Sequence, residues 1–206
     1  MTAPAARQQV SRDLVVETAL RLVEANDISA LSMRRLAAEL GTAVTAIYWH
    51  VGNRDALLDL LVDRLLDELG EVRVTGRSPR ARITSIARQW RQRLWEHPHL
   101  IAVAHERGKT AAMFVPMQEQ LAIELRAVNI RGAAAATAIG ALQFHIAASV
   151  VMERTASRGP ESGITDASAW PVSYADPGLV SGLSAPVDYR AVFDLGLDAL
   201  LDRLLG

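Results

Sequence analysis

Apolar positions recur at three- and four-residue intervals along nearly the whole chain. Leu14, Thr18, Ala19, Leu22 and Val23 form one stripe between about Ser11 and Ala25, which predicts an amphipathic helix. Ser32 can cap a short second helix whose Met33, Leu36, Ala37 and Leu40 fall at i, i+3, i+4 and i+7. Gly41 stands where a helix end wants positive φ. A third short helix then runs through "AVTAIYWHV" to Gly52, and Asn53 can cap a fourth carrying Leu57, Leu58, Leu61, Leu65 and Leu69 on one side.

The pattern stops at "GEVRVTGRSP" and resumes behind Ser78-Pro79, a helix-opening pair. Ile83, Ile86, Ala87, Trp90 and Leu94 line one face as far as His97-Pro98. Two shorter helices are expected over 99–107 and 117–128, around a less regular 108–116. A long Ala-rich helix fills 131–155, and a last one 187–205 carries Val192, Phe193, Gly196, Leu200 and Leu204. Between them residues 156–186 hold Pro and Gly without a period and read as a long loop, uncommon in a compact domain unless it has a task. No strand pattern survives. The expected fold is all-α, with about nine helices.

Composition narrows this only in part. The 206 residues are half apolar, enough to bury a core over most of the length. A formal net charge of −1 gives no global basic field, so any nucleic-acid contact must come from a local patch. The absence of cysteine excludes disulfides and thiolate metal sites and suits a reducing cytoplasm. The N-terminal "MTAPAARQQVSRD" has no apolar signal region. The apolar run near 133–152 is broken by Thr137, Gln143, His145 and Ser149, so it is expected to be a buried or interface helix and not a membrane span.

Candidate chemistry concentrates in two places. The segments Ser32–Leu40 and Ala43–Val51, joined through Gly41, have helix-turn-helix spacing. In the second, Ile47 and Val51 face inward, leaving Thr45, Ala46, Tyr48, Trp49 and His50 outward. Small residues at its N-terminal end let the backbone approach a major-groove floor, where Ala or a Thr methyl meets thymine methyls. Tyr48 and His50 have the reach for phosphate oxygens, Arg34 for a guanine edge, and Arg54 for the backbone. Over 32–54 three arginines stand against Glu39 alone. The bland alternative makes Tyr-Trp-His a capping cluster and Arg34 and Arg35 a solvated face.

These residues carry a resemblance. "LSMRRLAAELGTAVTAIYWHVGNRDALLDLLVDRLL" resembles the DNA-binding head of the tetracycline-repressor (TetR) family, over about residues 10–70, and "YWHVGNRDALLD" is similar to its Tyr-x-His…Lys/Arg…Leu signature. The resemblance implies a three-helix head (1–52), a connecting helix (53–70), and an all-α body (71–206) that binds an effector and dimerises. It places Arg34, Val44, Thr45, Ala46 and Tyr48 toward bases, and Ser32, Thr42, Tyr48, Trp49, His50 and Arg54 toward the DNA backbone. Period alone would put Val44 in the core; the resemblance puts it at the DNA, and that placement is adopted.

The expected function is a cytoplasmic, homodimeric, ligand-responsive regulator, a repressor that leaves a palindromic double-stranded DNA operator when a small hydrophobic or amphipathic effector binds. The body supplies candidate pocket residues: Trp90, His105, Phe114, Met117, Gln143, His145 and Glu153. By resemblance, His145 and Glu153 match a His and a Glu eight apart in tetracycline-binding members, and His105 lies near those members' magnesium-ligating histidine, so a magnesium-chelated ligand is an alternative effector. No metal site or cofactor of the chain's own is expected. His97-Pro98-His99 reads as a helix boundary. No phosphate loop, serine elbow or carboxylate–histidine pairing speaks for an enzyme. Two rivals stay open: an all-α carrier or enzyme with an incidental head-like N-terminus, and a DNA-binding regulator without an effector.

Overall fold

The structure, a computed structural model, describes residues 10–26, 28–70, 72–157, 176–183 and 185–206. Among them are ten α-helices and one 3₁₀ turn: α1 (Arg12–Asn26), the turn Ile28–Ala30, α2 (Met33–Glu39), α3 (Val44–Val51), α4 (Arg54–Gly70), α5 (Pro79–Glu96), α6 (Pro98–Glu106), α7 (Thr110–Ala127), α8 (Gly132–Ser157), α9 (Pro177–Leu183) and α10 (Tyr189–Leu205). No strand occurs among the described residues.

Most helices begin where a side chain satisfies the orphan N–H groups of a first turn. Ser32 Oγ accepts from Arg35 N at 3.1 Å, Asn53 Oδ1 from Ala56 N at 2.8 Å, and Ser78 Oγ from Ala81 N at 3.2 Å. The Asp188 carboxylate accepts from Arg190 N and Ala191 N at the start of α10.

Two segments depart from expectation. Residues 108–116 are largely helical, because α7 starts at Thr110 and runs straight through Pro116. Proline removes one intrahelical hydrogen bond, but the neighbouring Met113, Phe114 and Met117 are buried and hold the helix across the gap. Within the expected loop 156–186, α8 persists to Ser157 and α9 forms at Pro177–Leu183, opened by Asp176 Oδ1 accepting from Gly178 N at 2.9 Å. Residues 158–175 of that loop lie outside the described residues.

The chain divides into two compact units. The first takes the residues up to Val72 together with Arg93–Met117; the second takes Arg73–Gln92 with Gln118–Gly206. In the first, α1 lies against α2, α3, α4 and α6. Val15, Ala19, Leu36, Ile47, Leu57 and Leu61 form a solvent-free core there. Burial of each such side chain stabilises by roughly 1.5–3 kcal/mol relative to exposure. In the second, α8 and α10 form the main pair, closed by Leu142, Ile146, Phe193, Leu197 and Leu201. Arginines of α5 tie into it: Arg80 bonds Asp202 at 2.7 Å, Arg82 bonds the buried Glu124 at 2.7 Å, and Arg88 bonds Asp194 at 3.0 Å.

Candidate nucleic-acid interface

The chain reverses between α2 and α3 by backbone chemistry. Gly41, at φ +61°, ends α2: its N–H reaches Ala38 O at 3.2 Å, and Thr42 N reaches Ala37 O at 2.9 Å. This pair of bonds is the Schellman arrangement, which needs a left-handed residue between helix and turn. It delivers α3 with a free N-terminus. The residue before it is Ala43, which offers no side-chain cap. The first N–H groups of an uncapped helix point outward and attract anions.

The outer face of α3 is amphipathic in the wrong direction for a solvent-facing helix. Ile47 and Val51 are buried in the first unit's core, whereas Trp49 is 82% exposed and Tyr48 49% exposed. Water has no use for an indole. Trp49 meets His50 edge-on, with ring centroids 4.8 Å apart, so the pair stands as one ridge. Thr45 is exposed, and Val44 and Ala46 are half-buried at the helix start. Ser32 and Arg34 are exposed on and just before α2; Thr42, His50 and Arg54 are half-buried around the same turn-helix-turn. The ten residues named for DNA contact thus belong to one continuous run of elements in the first unit. Gly52 closes α3 at φ +74°, and an added Cβ would stand 3.3 Å from that of Ala56.

The seven effector candidates are distributed over both units. In the first, His105 Nδ1 lies 3.3 Å from Thr110 Oγ1, and Phe114 and Met117 are buried. In the second, Trp90 is wholly buried and donates its indole N–H to Gln120, while Gln143 accepts from Gln118 at 2.8 Å. His145 stacks on Phe193 and bonds its backbone carbonyl through Nε2 at 2.9 Å; Glu153 pairs with Arg91. Cavities of about 640 Å³ in the first unit and 620 Å³ in the second are lined by other side chains, those of α1 with α4 and those of residues 73–89. Among the described residues no group of three or more His, Asp or Glu is gathered as a metal site.

One feature of the first unit went unread in the sequence. Asp55, Asp59 and Asp63 stand at i, i+4 and i+8 on α4, and the turn after α6 lays two cations along them. Arg107 makes a two-pronged bond to Asp59, 3.1 Å on each side, and approaches Asp55 at 3.6 Å. Lys109 reaches Asp63 at 2.9 Å and Asp59 at 3.6 Å. The hydrogen bonds from Arg107 hold the Asp59 carboxyl below its usual range, and the bond to Asp63 raises the Lys109 ammonium above its own. The acid spacing was visible along the chain. Its partners, more than forty residues downstream, were not.

Residues 15–61 match the family model described as bacterial regulatory proteins, tetR family. An HTH-type transcriptional regulator of Saccharopolyspora erythraea is 29% identical over 199 residues, covering 93% of this chain and 83% of that one. The HTH-type transcriptional repressor DrrR1 of Streptomyces coeruleorubidus is 30% identical over 162 residues, 77% of this chain and 59% of DrrR1. Among solved structures, apo ActR from Streptomyces coelicolor superposes with a TM-score of 0.72 at 28% identity, over 96% of each chain. ActR in complex with actinorhodin gives 0.65 at 29% identity, over 96% of this chain and 98% of that one.

Proposed function

The chain belongs to the TetR family of bacterial regulatory proteins, and from that premise we propose that it is a ligand-responsive repressor acting as a homodimer on an inverted-repeat operator. The observation that carries this is the uncapped, outward-facing α3, with Tyr48 and Trp49 exposed and arginines 34 and 54 on the helices before and after it. In this reading residues 1–52 read DNA, 53–70 connect, and 71–206 hold the effector and dimer functions. Thr45 and Ala46 meet thymine methyls, Arg34 a guanine, and Tyr48, Trp49, His50 and Arg54 phosphates. Ser32 and Thr42 sit at the backbone and Val44 at the bases.

An unpartnered apolar surface supports the dimer. Helix α8 is long and apolar enough to cross a membrane by composition, yet only 22% of its apolar window is buried. Phe144, Val151 and Met152 on α8, with Val192 and Leu195 on α10, are exposed. A second copy covering this surface would join two α3 helices in one molecule, as an operator with half-sites in successive major grooves, about 34–36 Å apart, requires. ActR in complex with actinorhodin supports binding of a small molecule, and DrrR1, named as a repressor, supports repression. The effector then works through α4, held by the Arg107–Lys109 clasp. It must favour the released state by about 5.5 kcal/mol to turn a 1:99 equilibrium into 99:1.

Selection of bound sequences from a random duplex pool tests the reading. The expected product is an inverted repeat with half-sites about one helical turn apart. Its affinity should fall with salt at a slope near −0.9 per neutralised phosphate. No enrichment from ligand-stripped, dimeric protein would reject the operator and favour a carrier.

A further inference from the structure

The geometry points to an anion site in the second unit, between α5 and α10, built for the carboxylate of a small ligand. It is separate from the operator-reading surface and needs neither DNA nor the dimer. A pocket of about 140 Å³ is lined by Arg88, Arg91, Gln92, Arg190, Phe193 and Asp194. Three guanidinium groups thus face one carboxylate within the lining. Arg88 spends only its Nε on Asp194, at 3.0 Å. Arg91 sends Nη2 to Glu153 and lies over the Phe193 ring, 5.1 Å from its centroid. Its own Nε is sealed from solvent and has no hydrogen-bond partner among the described residues. Arg190 makes no ion pair among the described residues.

An added anion offsets the guanidinium charge that Arg190 brings to the lining without an ion-pair partner there. The planar, two-pronged guanidinium matches a carboxylate, and the small volume suits one such group with a short apolar body resting on the Phe193 edge. On a helix of about 100° per residue, Arg190 lies about 140–160° around α10 from Val192 and Leu195. The pocket therefore stays open when the exposed apolar side of α10 is covered.

Calorimetric titration of the full-length chain with sodium benzoate, at ionic strength held constant with chloride, tests this. Benzyl alcohol, which keeps the ring and lacks the charge, should not bind. Arg190→Gln should weaken benzoate at least tenfold. Asp194→Asn, which removes the competing carboxylate and leaves Arg88 seeking a partner, should tighten it. Arg190 is exposed and Asp194 half-buried, and matched melting temperatures check that both variants fold. Equal binding by benzoate and benzyl alcohol overturns the proposal, as does unchanged affinity in Arg190→Gln. Inorganic phosphate binding more tightly than benzoate overturns the carboxylate assignment.

Discussion

Arg34 is exposed on α2, one residue into the helix that Ser32 caps. If it reads a guanine, Arg34→Ala relaxes preference at one base position per half-site by about 1–3 kcal/mol. A loss equal across all sequences, measured on a set of single-base operator variants, makes it a backbone contact. Gly196 poses a different residue-scale constraint. It is helical and needs no positive φ, yet a Cβ there would stand 2.4 Å from His145 Cε1. The ring packs flat on Phe193 and bonds its carbonyl, so it has little room to give. Gly196→Ala is expected to destabilise by about 1–3 kcal/mol despite the better helix former, and His145→Ala in the same chain should recover part of that loss. Chemical denaturation of the two variants and their double mutant measures the coupling.

At the scale of elements, α4 is tied by a run of ion pairs to the turn after α6. The folded pKa of Asp59 is depressed by the Arg107 bond, so this stabilisation is present above the ordinary carboxylate value and lost as pH falls through the folded one. The Lys109 value is raised, so its contribution is present below the ordinary ammonium value and lost as pH rises through the folded one. The clasp is therefore closed across the neutral range and opens in acid. Arg107→Ala should lower urea resistance at pH 7, and the gap to the unsubstituted chain should close below the carboxylate range. A gap independent of pH would assign the loss to packing of the arginine stem. All the attached groups lie partly in solvent, so added salt should weaken the clasp.

For the whole molecule, the apolar surface of α8 and α10 is the main unanswered burial. Phe144 is 76% exposed and Leu195 73% exposed, and adjacent side chains of this kind rarely stay wet without a partner. Phe144→Glu should convert a dimer to a monomer in analytical ultracentrifugation. It should also reduce operator affinity far more than half-site affinity, because the two heads are then no longer joined. A monomer in the unsubstituted chain would remove the basis for a palindromic operator.

By itself the sequence determined most of the helices, their order and the segment that carries the family likeness. Each of those rests on interactions within a few residues: apolar spacing, the Ser32, Asn53 and Ser78 caps, and Gly41 and Gly52 at positive φ. The family likeness lies in the same local run, where α2, turn and α3 follow directly. Where local signals were weak they misled. Residues 108–116 read as less regular, yet most of them belong to α7, and α9 sits in a stretch with no period. Only the tertiary structure decided which distant charges meet: Asp59 with Arg107, Arg91 with Glu153, Arg88 with Asp194. It also decided that Trp90 is wholly buried and that Phe144 is not. Packing between remote segments follows no period along the chain. A pair separated by 48 or 106 residues leaves no mark on either neighbourhood, so the clasp and the arginine pocket became legible only once the helices were in place.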